Sequence, residues 1–170
     1  MLKIVKYPEA VLRQKAEPVL NIDKEMHALI DQMAESMYRD DGAGLAAPQV
    51  GISKRLIVLD GGKGFLSLFN PEILEKETTM QSLEEGCLSL PGIRLDVSRS
   101  SRIRIRATDD QGKVVEMEAE GLIARILQHE IDHINGILII DHASSIQRAL
   151  LRPKLKKLEK AVSCSSSNTL

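Results

Sequence analysis

The hydrophobic positions of this chain first predict two amphipathic helices. Asp23 is a suitable N-cap, and the apolar residues after it recur at intervals of three and four up to about Tyr38. Those apolar residues are Met26, Leu29, Ile30, Met33 and Met37. A second helix is predicted from Gly121 to Asn135, where apolar residues fall on more than one side. We therefore expect the second helix to be central and mostly buried.

Alternating apolar and polar residues predict a β-hairpin before the second helix. Residues 102–106 alternate with period two, and residues 114–120 follow after a turn in which Gly112 suits a left-handed backbone. The resulting register places three arginines opposite three glutamates, in the pairs Arg102 with Glu120, Arg104 with Glu118 and Arg106 with Glu116. Opposite charges paired in this way indicate a solvated sheet face and not a phosphate-binding site.

Shorter patterns predict the remaining elements. Strands are predicted at residues 55–60, 66–69 and 137–140. Residues 42–49 contain too many Gly, Ala and Pro for a regular element. A basic helix is predicted to start at Ser144 or Ser145, and Pro153 must kink or divide it.

Composition and charge restrict the class of protein. The chain has 170 residues, of which 43% are apolar, so it can bury a core as one domain. The 23 basic and 24 acidic residues nearly balance and only 2% are aromatic, which argues against a broad nucleic-acid-binding face. We expect no membrane-spanning helix and no signal peptide. The two cysteines cannot form a disulfide framework, which indicates a reducing, cytoplasmic environment.

The second predicted helix carries the sharpest candidate for chemistry, a His-Glu-x-x-His motif at residues 129–133. Two imidazoles four residues apart lie on one helix face and can bind one divalent metal ion, with Glu130 beside it. The alternative is a pair of structural histidines, His129 and His133, that form ion pairs with carboxylates. Burying these groups in an Ile- and Leu-rich helix without a metal or partners would be costly, which favours the metal site.

A catalytic metal site also needs a third protein ligand. The best candidate is Cys87 in the Glu-Gly-Cys-Leu-Ser motif at residues 85–89, because a metal-bound cysteine is a soft, negatively charged thiolate. The alternative interpretation of Cys87 is a small buried hydrophobic residue. Asp141 and Glu159 are weaker candidates for the third ligand.

The Gly- and Ala-rich segment at residues 42–49 is a third candidate. It follows a predicted helix, whereas a dinucleotide-binding loop follows a strand, so the spacing of its glycines does not indicate a nucleotide site. Small side chains would let a peptide lie over an extended backbone, and Gln49 could donate an amide N–H to a developing oxyanion. The alternative is a tight loop with a surface glutamine.

The three motifs together, in this order, resemble the peptide deformylase family. The family pattern reads Gly-x-Gly-Leu-Ala-Ala-x-Gln, Glu-Gly-Cys-Leu-Ser and Gln-His-Glu-x-Asp-His. This chain has Gly-Ala-Gly-Leu-Ala-Ala-Pro-Gln at residues 42–49, Glu-Gly-Cys-Leu-Ser at 85–89 and Gln-His-Glu-Ile-Asp-His at 128–133. The resemblance extends from the N-terminal segment to about Asp141.

The fold that fits is α+β, with antiparallel β-sheets packed around a central metal-bearing helix and a C-terminal helix. We expect one catalytic domain over residues 1–162 and a disordered Ser-rich tail at 163–170. The resemblance implies a metal-dependent hydrolase that removes the N-terminal formyl group from formyl-methionyl nascent polypeptides and releases formate.

The resemblance also implies roles for individual residues. The implied metal ligands are Cys87, His129 and His133, which hold one divalent ion, Fe²⁺ in the cell, with Zn²⁺, Ni²⁺ or Co²⁺ able to take its place. The implied catalytic groups are Glu130 as general acid and base, with the Gln49 side chain and the Leu88 backbone N–H on the formyl oxygen. The implied substrate-binding residues are Ala43, Gly44, Gly86, Arg94 and Leu122, and Arg125 is either a wall of the methionine pocket or a surface residue.

Expectations about partners complete the sequence interpretation. Besides the peptide substrate, we expect a transient ribosome contact, no specific nucleic-acid sequence, no membrane, and a monomer or weak homo-oligomer. Two alternatives stay open: a peptidase that cuts internal peptide bonds, and an inactive, deformylase-like protein that binds metal or associates with ribosomes. The basic segment that motivates the ribosome contact contains Arg148, Arg152, Lys154, Lys156 and Lys157.

Overall fold

The computed structural model describes the backbone of residues 2–166 and the side chains of residues 2–162. Its elements are α1 (Lys24–Arg39), β1 (Gly44–Ala46), β2 (Leu56–Asp60), β3 (Phe65–Lys76), β4 (Met80–Gly86), β5 (Arg94–Ser100), β6 (Arg102–Thr108), β7 (Val114–Glu120), α2 (Gly121–Ile134) and α3 (Ser145–Ser166). One antiparallel sheet has the order β1-β2-β3-β6-β7, and β4 pairs with β5 in a second antiparallel sheet. The predicted α+β class is confirmed.

Helix α2 packs against the larger sheet, as its apolar pattern predicts. Its buried residues Ala124, Leu127 and Ile131 form one hydrophobic cluster with residues of β2 and β6. The approach is close, since a Cβ atom on Gly61, just after β2, would clash with the Cδ1 atom of Ile123. The sheet therefore fixes the position of the helix that carries the His-Glu-x-x-His motif.

Helix α1 begins where the sequence predicts. The Asp23 carboxylate accepts the N–H groups of Glu25 and Met26, both at 3.0 Å, which satisfies two of the free donors at the helix start. The predicted apolar face of α1 packs with residues of β1 and β2 in a second hydrophobic cluster. Helix α1 thus supports the back of the strand that enters the candidate site.

The β6–β7 hairpin has the predicted register. The opposed pairs are Arg102 with Glu120, Arg104 with Glu118 and Arg106 with Glu116, and Gly112 has a φ of 79°. The ion pair between Arg106 and Glu116 joins directly opposed residues, whereas those of Arg102 with Glu118 and Arg104 with Glu116 run diagonally. Arg104 and Arg106 also reach Glu75 and Glu72 of β3. Long arginine side chains reach diagonal neighbours as readily as opposed ones, so the register alone did not determine the contacts.

The Gly- and Ala-rich segment at residues 42–49 contains regular structure, which corrects the prediction. Gly44–Ala46 pairs with β2 as an antiparallel strand, and Ala47–Val50 forms a 3-10 turn. The apolar strand β2 supplies the pairing partner that an isolated segment of small residues lacks. Strand β1 lies at the edge of the sheet, so its outer side is not paired with another strand of the described chain.

The strand predicted at residues 137–140 is wrong. Ile139–His142 forms a 3-10 turn, and the Asp141 carboxylate accepts the Leu138 N–H at 2.8 Å at its start. Leu138, Ile139 and Ile140 are buried in a third hydrophobic cluster, whereas Ile137 is exposed, and an apolar run of four does not distinguish a strand from a buried turn.

Strands β4 and β5 were not predicted, although β5 alternates clearly. Its residues Leu95, Val97 and Arg99 are buried and their neighbours Asp96 and Ser98 are exposed. The pattern is hidden because a charged residue occupies one of the buried positions. The strand pair carries the second motif towards the helix motif.

Helix α3 continues through Pro153 and is not divided. Proline removes the N–H that would bond to the carbonyl of Ala149, but both residues are exposed, so water can satisfy that carbonyl. The predicted tail begins within this helix, which extends to Ser166, and residues 167–170 lie outside the described residues. In the described part of the chain, no helix has the length and apolar character needed to cross a membrane.

Candidate metal centre

Three side chains from two distant segments bring their donor atoms together. His129 and His133 lie one turn apart on α2, with their Nε2 atoms 3.2 Å from each other. Cys87 follows strand β4, and its Sγ atom lies 3.2 Å from the His133 Nε2 atom. All three donor atoms lie within 4.8 Å of one another. The predicted meeting of one sulfur with two imidazoles is therefore present.

These donors fit a single metal ion. Around a tetrahedral zinc ion, neighbouring N and S ligands lie about 3.3–3.6 Å apart, close to the separations seen in this site. The Nδ1 atom of His129 donates to the Glu85 carboxylate at 3.0 Å, which directs the Nε2 atom towards the other donors. A cysteine and two histidines are ligands that suit Zn²⁺ and other divalent transition metals.

The protonation of the two histidines differs in this site. Burial lowers the pKa of His133, and the charge of His129 acts in the same direction. Burial also lowers the pKa of His129, but hydrogen bonds to Cys87 and Glu85 outweigh it and raise the pKa to about 10. A metal ion that binds here must therefore displace a proton from His129.

Glu130 is buried directly beside the metal-binding group. Its side chain is packed against β1, where a Cβ atom on Gly44 would lie 2.5 Å from the Glu130 Oε1 atom. Its Oε2 atom has no hydrogen-bond partner among the described residues. Burial raises the pKa of Glu130 to about 7, and the positive charges of His129 and Arg99 only partly oppose this effect. A carboxylate with this pKa can both accept and return a proton near neutral pH.

The Gln49 side chain is buried with its amide orientation fixed by its neighbours. The Oε1 atom accepts the Ala46 N–H at 2.8 Å, so the Nε2 atom is the one that faces the metal-binding group. That nitrogen lies 3.3 Å from the Ser89 Oγ atom and 3.5 Å from the Cys87 Sγ atom. The alternative of a surface glutamine in a tight loop is excluded.

Leu88 is held in a tight turn directly after Cys87. The Leu90 N–H donates to the Cys87 carbonyl at 3.0 Å, which makes Leu88 and Ser89 the central residues of the turn. Within residues 2–166 the Leu88 N–H has no hydrogen-bond acceptor of its own. A free backbone donor next to the proposed metal ligand is suited to a developing negative charge.

The candidate site opens into a cleft of about 510 Å³. Most of the residues predicted for the site line it, namely Ala43, Gly44, Gln49, Gly86, Cys87, Leu88, Arg94, Leu122, His129 and Glu130. His133 does not line the cleft and is buried beneath it. Sequence reasoning missed Ile93 and the acidic residues Asp40 and Asp41 at the cleft, because they belong to no recognisable motif.

A buried ion network supports His129 from behind. We use this name for Glu85, Arg99, Arg125 and Asp132. Glu85 accepts from the Arg99 Nε and Nη2 atoms, both at 3.0 Å, and from Arg125 at 2.7 Å. Arg99 also donates to Asp132 at 2.6 Å. The network thus links the β4–β5 sheet to the metal-bearing helix.

Two members of the network were not predicted to have these roles. Arg125 was expected at the wall of the methionine pocket or on the surface. It lines the cleft but is buried, so the surface alternative is wrong, and it donates to Glu85 and to the carbonyls of Gln81 and Val97. Arg99 was not singled out, although a charged residue at a buried strand position was a signal for it. Burial alone would raise the pKa of Glu85, but hydrogen bonds from His129 and Arg99 outweigh burial and lower it.

Known proteins resemble this chain over almost its full length. A family profile for polypeptide deformylase matches residues 1–149. The peptide deformylase of Thermotoga maritima is 47% identical over 162 residues, which cover 95% of this chain and 99% of the relative. That of Thermodesulfovibrio yellowstonii is 49% identical over 161 residues, which cover 92% of this chain and 97% of the relative.

Solved structures show the same fold. The crystal structure of the Thermotoga maritima peptide deformylase has a TM-score of 0.83 at 48% identity, covering 85% of this chain and 98% of that one. A Plasmodium falciparum peptide deformylase in complex with an inhibitor has a TM-score of 0.88 at 41% identity, covering 93% of this chain and 99% of that one. The sheets and the central helix described above are therefore shared with solved enzymes of one family.

Proposed function

This chain belongs to the polypeptide deformylase family, and we propose that the site just described removes the formyl group from formyl-methionyl nascent polypeptides and releases formate. Metal-dependent hydrolysis of that formyl group is the activity of the family. The observation that carries the assignment to this site is the convergence of Cys87, His129 and His133 beside the buried carboxylate of Glu130. A structural metal site has no need of such a base, which argues against an inactive relative.

We propose that Cys87, His129 and His133 hold one divalent ion, Fe²⁺ in the cell and Zn²⁺, Ni²⁺ or Co²⁺ in purified samples. Such an ion supplies Lewis-acid chemistry, which makes water a nucleophile near neutral pH. Glu85 orients His129 through its Nδ1 atom, so that the Nε2 atom faces the donor atom of His133 and would be available to the ion. The cleft on the side of His129 leaves room for water and substrate.

Glu130 moves the protons of the reaction. Its Oε2 atom is free of hydrogen bonds within the described residues and accepts the proton of the attacking water. The same oxygen then returns the proton to the amine nitrogen that leaves from the formyl carbon. The pKa of Glu130, raised to about 7 by burial, suits a group that must do both.

Two N–H donors stabilise the negative charge that develops on the formyl oxygen. One is the Gln49 Nε2 group, whose orientation is fixed by the bond between Gln49 Oε1 and the Ala46 N–H. The other is the backbone N–H of Leu88. Each donor of this kind is typically worth about 3–4 kcal/mol in the transition state.

The peptide is proposed to bind as an added strand along the outer edge of β1. Gly44 lies in β1 and Gly86 ends β4, so both offer backbone with little side-chain bulk at the cleft. Backbone pairing reads little of the peptide sequence, which suits an enzyme that acts on many nascent chains. Ala43, Arg94 and Leu122 are proposed to surround the methionine side chain.

The exposed basic residues of α3 support a proposed transient contact with the ribosome. Those residues are Arg148, Arg152, Lys154, Lys156 and Lys157. Because nascent formylated chains are the substrate, the proposed compartment is the cytoplasm. Salt-sensitive cosedimentation with ribosomes, lost when these residues are changed to glutamine, is the expected result.

The experiment that tests the function is formate release from a formyl-Met peptide by protein loaded anaerobically with Fe²⁺ or Ni²⁺. We expect stoichiometric formate and free Met-peptide, with no product from the acetylated analogue. Absence of formate from protein with one metal ion bound per chain would overturn the proposal. Cleavage of an internal peptide bond, retained together with metal in Cys87→Ser, would instead indicate a peptidase.

A further inference from the structure

The N-terminal segment, residues 5–7, contacts both turns that carry the proposed formyl-oxygen donors. The Val5 N–H donates to the Gln49 carbonyl at 2.7 Å, and the Tyr7 N–H donates to the Ser89 carbonyl at 2.9 Å. Between them, the Lys6 Nζ atom donates to the Leu88 carbonyl at 2.6 Å. No motif in the sequence indicated that these residues approach the site.

These contacts hold the Cys87–Leu90 turn from its far side. Leu88 and Ser89 are its two central residues, and the carbonyls of both are bonded by the N-terminal segment. Fixing these two peptide planes restricts the rotation of the Leu88 backbone. It therefore restricts the direction of the Leu88 N–H and the position of Cys87.

The contact between Lys6 and Leu88 requires the Lys6 side chain to lose part of its hydration. Its side chain is half-buried, and burial lowers the pKa of its ammonium, while the charges of Asp40 and Cys87 oppose that effect. A half-buried ammonium is retained most readily where it makes strong, charge-assisted hydrogen bonds. The Leu88 carbonyl provides one, across 82 residues of chain.

We propose that Lys6 is a positioning residue, which holds the turn so that the Cys87 thiolate points to the metal and the Leu88 N–H points to the formyl oxygen. The second half of this statement rests on the proposed deformylation, whereas the first half rests only on the proposed metal binding by Cys87. A shift of about 1 Å in a group that stabilises the transition state can cost up to about a hundredfold in rate. The Lys6 bond is one of several hydrogen bonds that hold the turn, so its loss should reduce the rate by less than this.

The test compares Lys6→Met, Lys6→Arg and the control Lys3→Met in the full chain. Methionine keeps most of the length of the unbranched side chain but cannot donate, whereas arginine keeps the charge and the donors. Lys3 is exposed on the same segment and serves as a matched loss of one charge. Thermal unfolding of each variant confirms that it is folded before it is compared.

We expect Lys6→Met to lower kcat about tenfold with little change in KM, and to weaken Co²⁺ binding several-fold in a chelator competition. Its thiolate-to-Co²⁺ absorption band should shift, Lys6→Arg should recover most of each effect, and Lys3→Met should behave as the parent. If Lys6→Met does not fold, Lys6→Leu, which also cannot donate, replaces it. Lys6→Met equal to Lys3→Met in kcat, Co²⁺ affinity and spectrum would overturn the proposal.

The role of Lys6 can be tested even if the protein releases no formate. Co²⁺ affinity and the thiolate band report on the position of Cys87 without any turnover. A protein that releases no formate but shows both metal effects would contradict the function and support the positioning role of Lys6 on Cys87. Normal formate release with unchanged metal binding in Lys6→Met would support the proposed function and contradict the positioning role of Lys6.

Discussion

Two groups of arginine–glutamate pairs in this molecule have nearly the same geometry and very different surroundings. In the buried ion network, Arg99 bonds Glu85 at 3.0 Å and the two side chains are 5% and 6% exposed. On the β6–β7 hairpin, Arg106 bonds Glu116 at 2.8 Å and the two side chains are 49% and 42% exposed. The difference teaches that contact distance alone says little about what an ion pair does.

The surroundings decide the role of each group. Buried charges lose their hydration and must be fully paired, so the network is rigid and can direct His129. Exposed pairs exchange readily with water and are screened by salt, so the hairpin pairs mainly keep one sheet face solvated. The same residue types thus support a metal ligand in one place and cover a surface in the other.

The largest expected effect comes from removing the carboxylate next to the buried network. Glu130→Gln should lower kcat by about 10²–10⁴-fold, because the proposed proton acceptor is lost while the metal ligands remain. Formate release and metal content are measured on the same preparation. Glu9→Gln, at an exposed carboxylate, is the control and should match the parent. Near-normal turnover in Glu130→Gln would remove Glu130 from the mechanism.

The next effect concerns stability. Arg99→Met should reduce the free energy of unfolding by about 3–5 kcal/mol, because the buried Glu85 and the half-buried Asp132 lose a shared partner. Metal affinity should fall as well, since Glu85 orients His129. Denaturant unfolding and chelator competition measure the two effects. Parent-like values in both would show that the network neither stabilises the fold nor supports the metal site.

Acid should weaken the folded state partly through Glu85. The pKa of Glu85 in the folded protein lies below its ordinary value of 4.5, so the unfolded chain takes up this proton first as pH falls. The stability that Glu85 contributes is therefore present above about pH 4.5 and is lost as pH falls from there towards the folded pKa. Urea unfolding of metal-free protein at several pH values should show a shallower acid loss in Glu85→Gln than in the parent. Equal slopes would contradict this account.

The smallest change in the free energy of unfolding is expected for a substitution on the β6–β7 hairpin. Arg106→Met makes the same substitution as Arg99→Met but at an exposed pair, and such pairs are typically worth less than about 1 kcal/mol. The difference in the free energy of unfolding between Arg106→Met and the parent should become smaller still in high salt. A loss as large as that of Arg99→Met would erase the contrast between the two groups.

The parts of the fold that follow local rules were predictable. The Asp23 cap, the β6–β7 register and the buried character of α2 each depend on residues close in sequence. Strand β1 was not predictable, because its pairing with β2 determines it. The turn at Ile139–His142 was not predictable either, because the hydrogen bond between the Asp141 side chain and the Leu138 N–H helps to determine it. Helix α3 passes through Pro153 because the affected carbonyl is exposed to water.

The residues of the candidate site likewise divide into those that the sequence predicts and those that it does not. Cys87, His129 and His133 were found from motifs, since the chemistry of a metal site restricts residue type and spacing. Arg99 and Lys6 were not, because their roles come from contacts between segments far apart in the chain. Arg99 and Lys6 therefore support the site without belonging to any of the three motifs.

The most direct test of the central claim is X-ray absorption at the zinc edge, on protein that carries one zinc ion per chain. We expect one sulfur neighbour at about 2.3 Å and nitrogen or oxygen neighbours at about 2.0–2.1 Å, with the sulfur lost in Cys87→Ser. A parent spectrum with no sulfur neighbour, or one that Cys87→Ser leaves unchanged, would show that Cys87 does not join His129 and His133 on the ion.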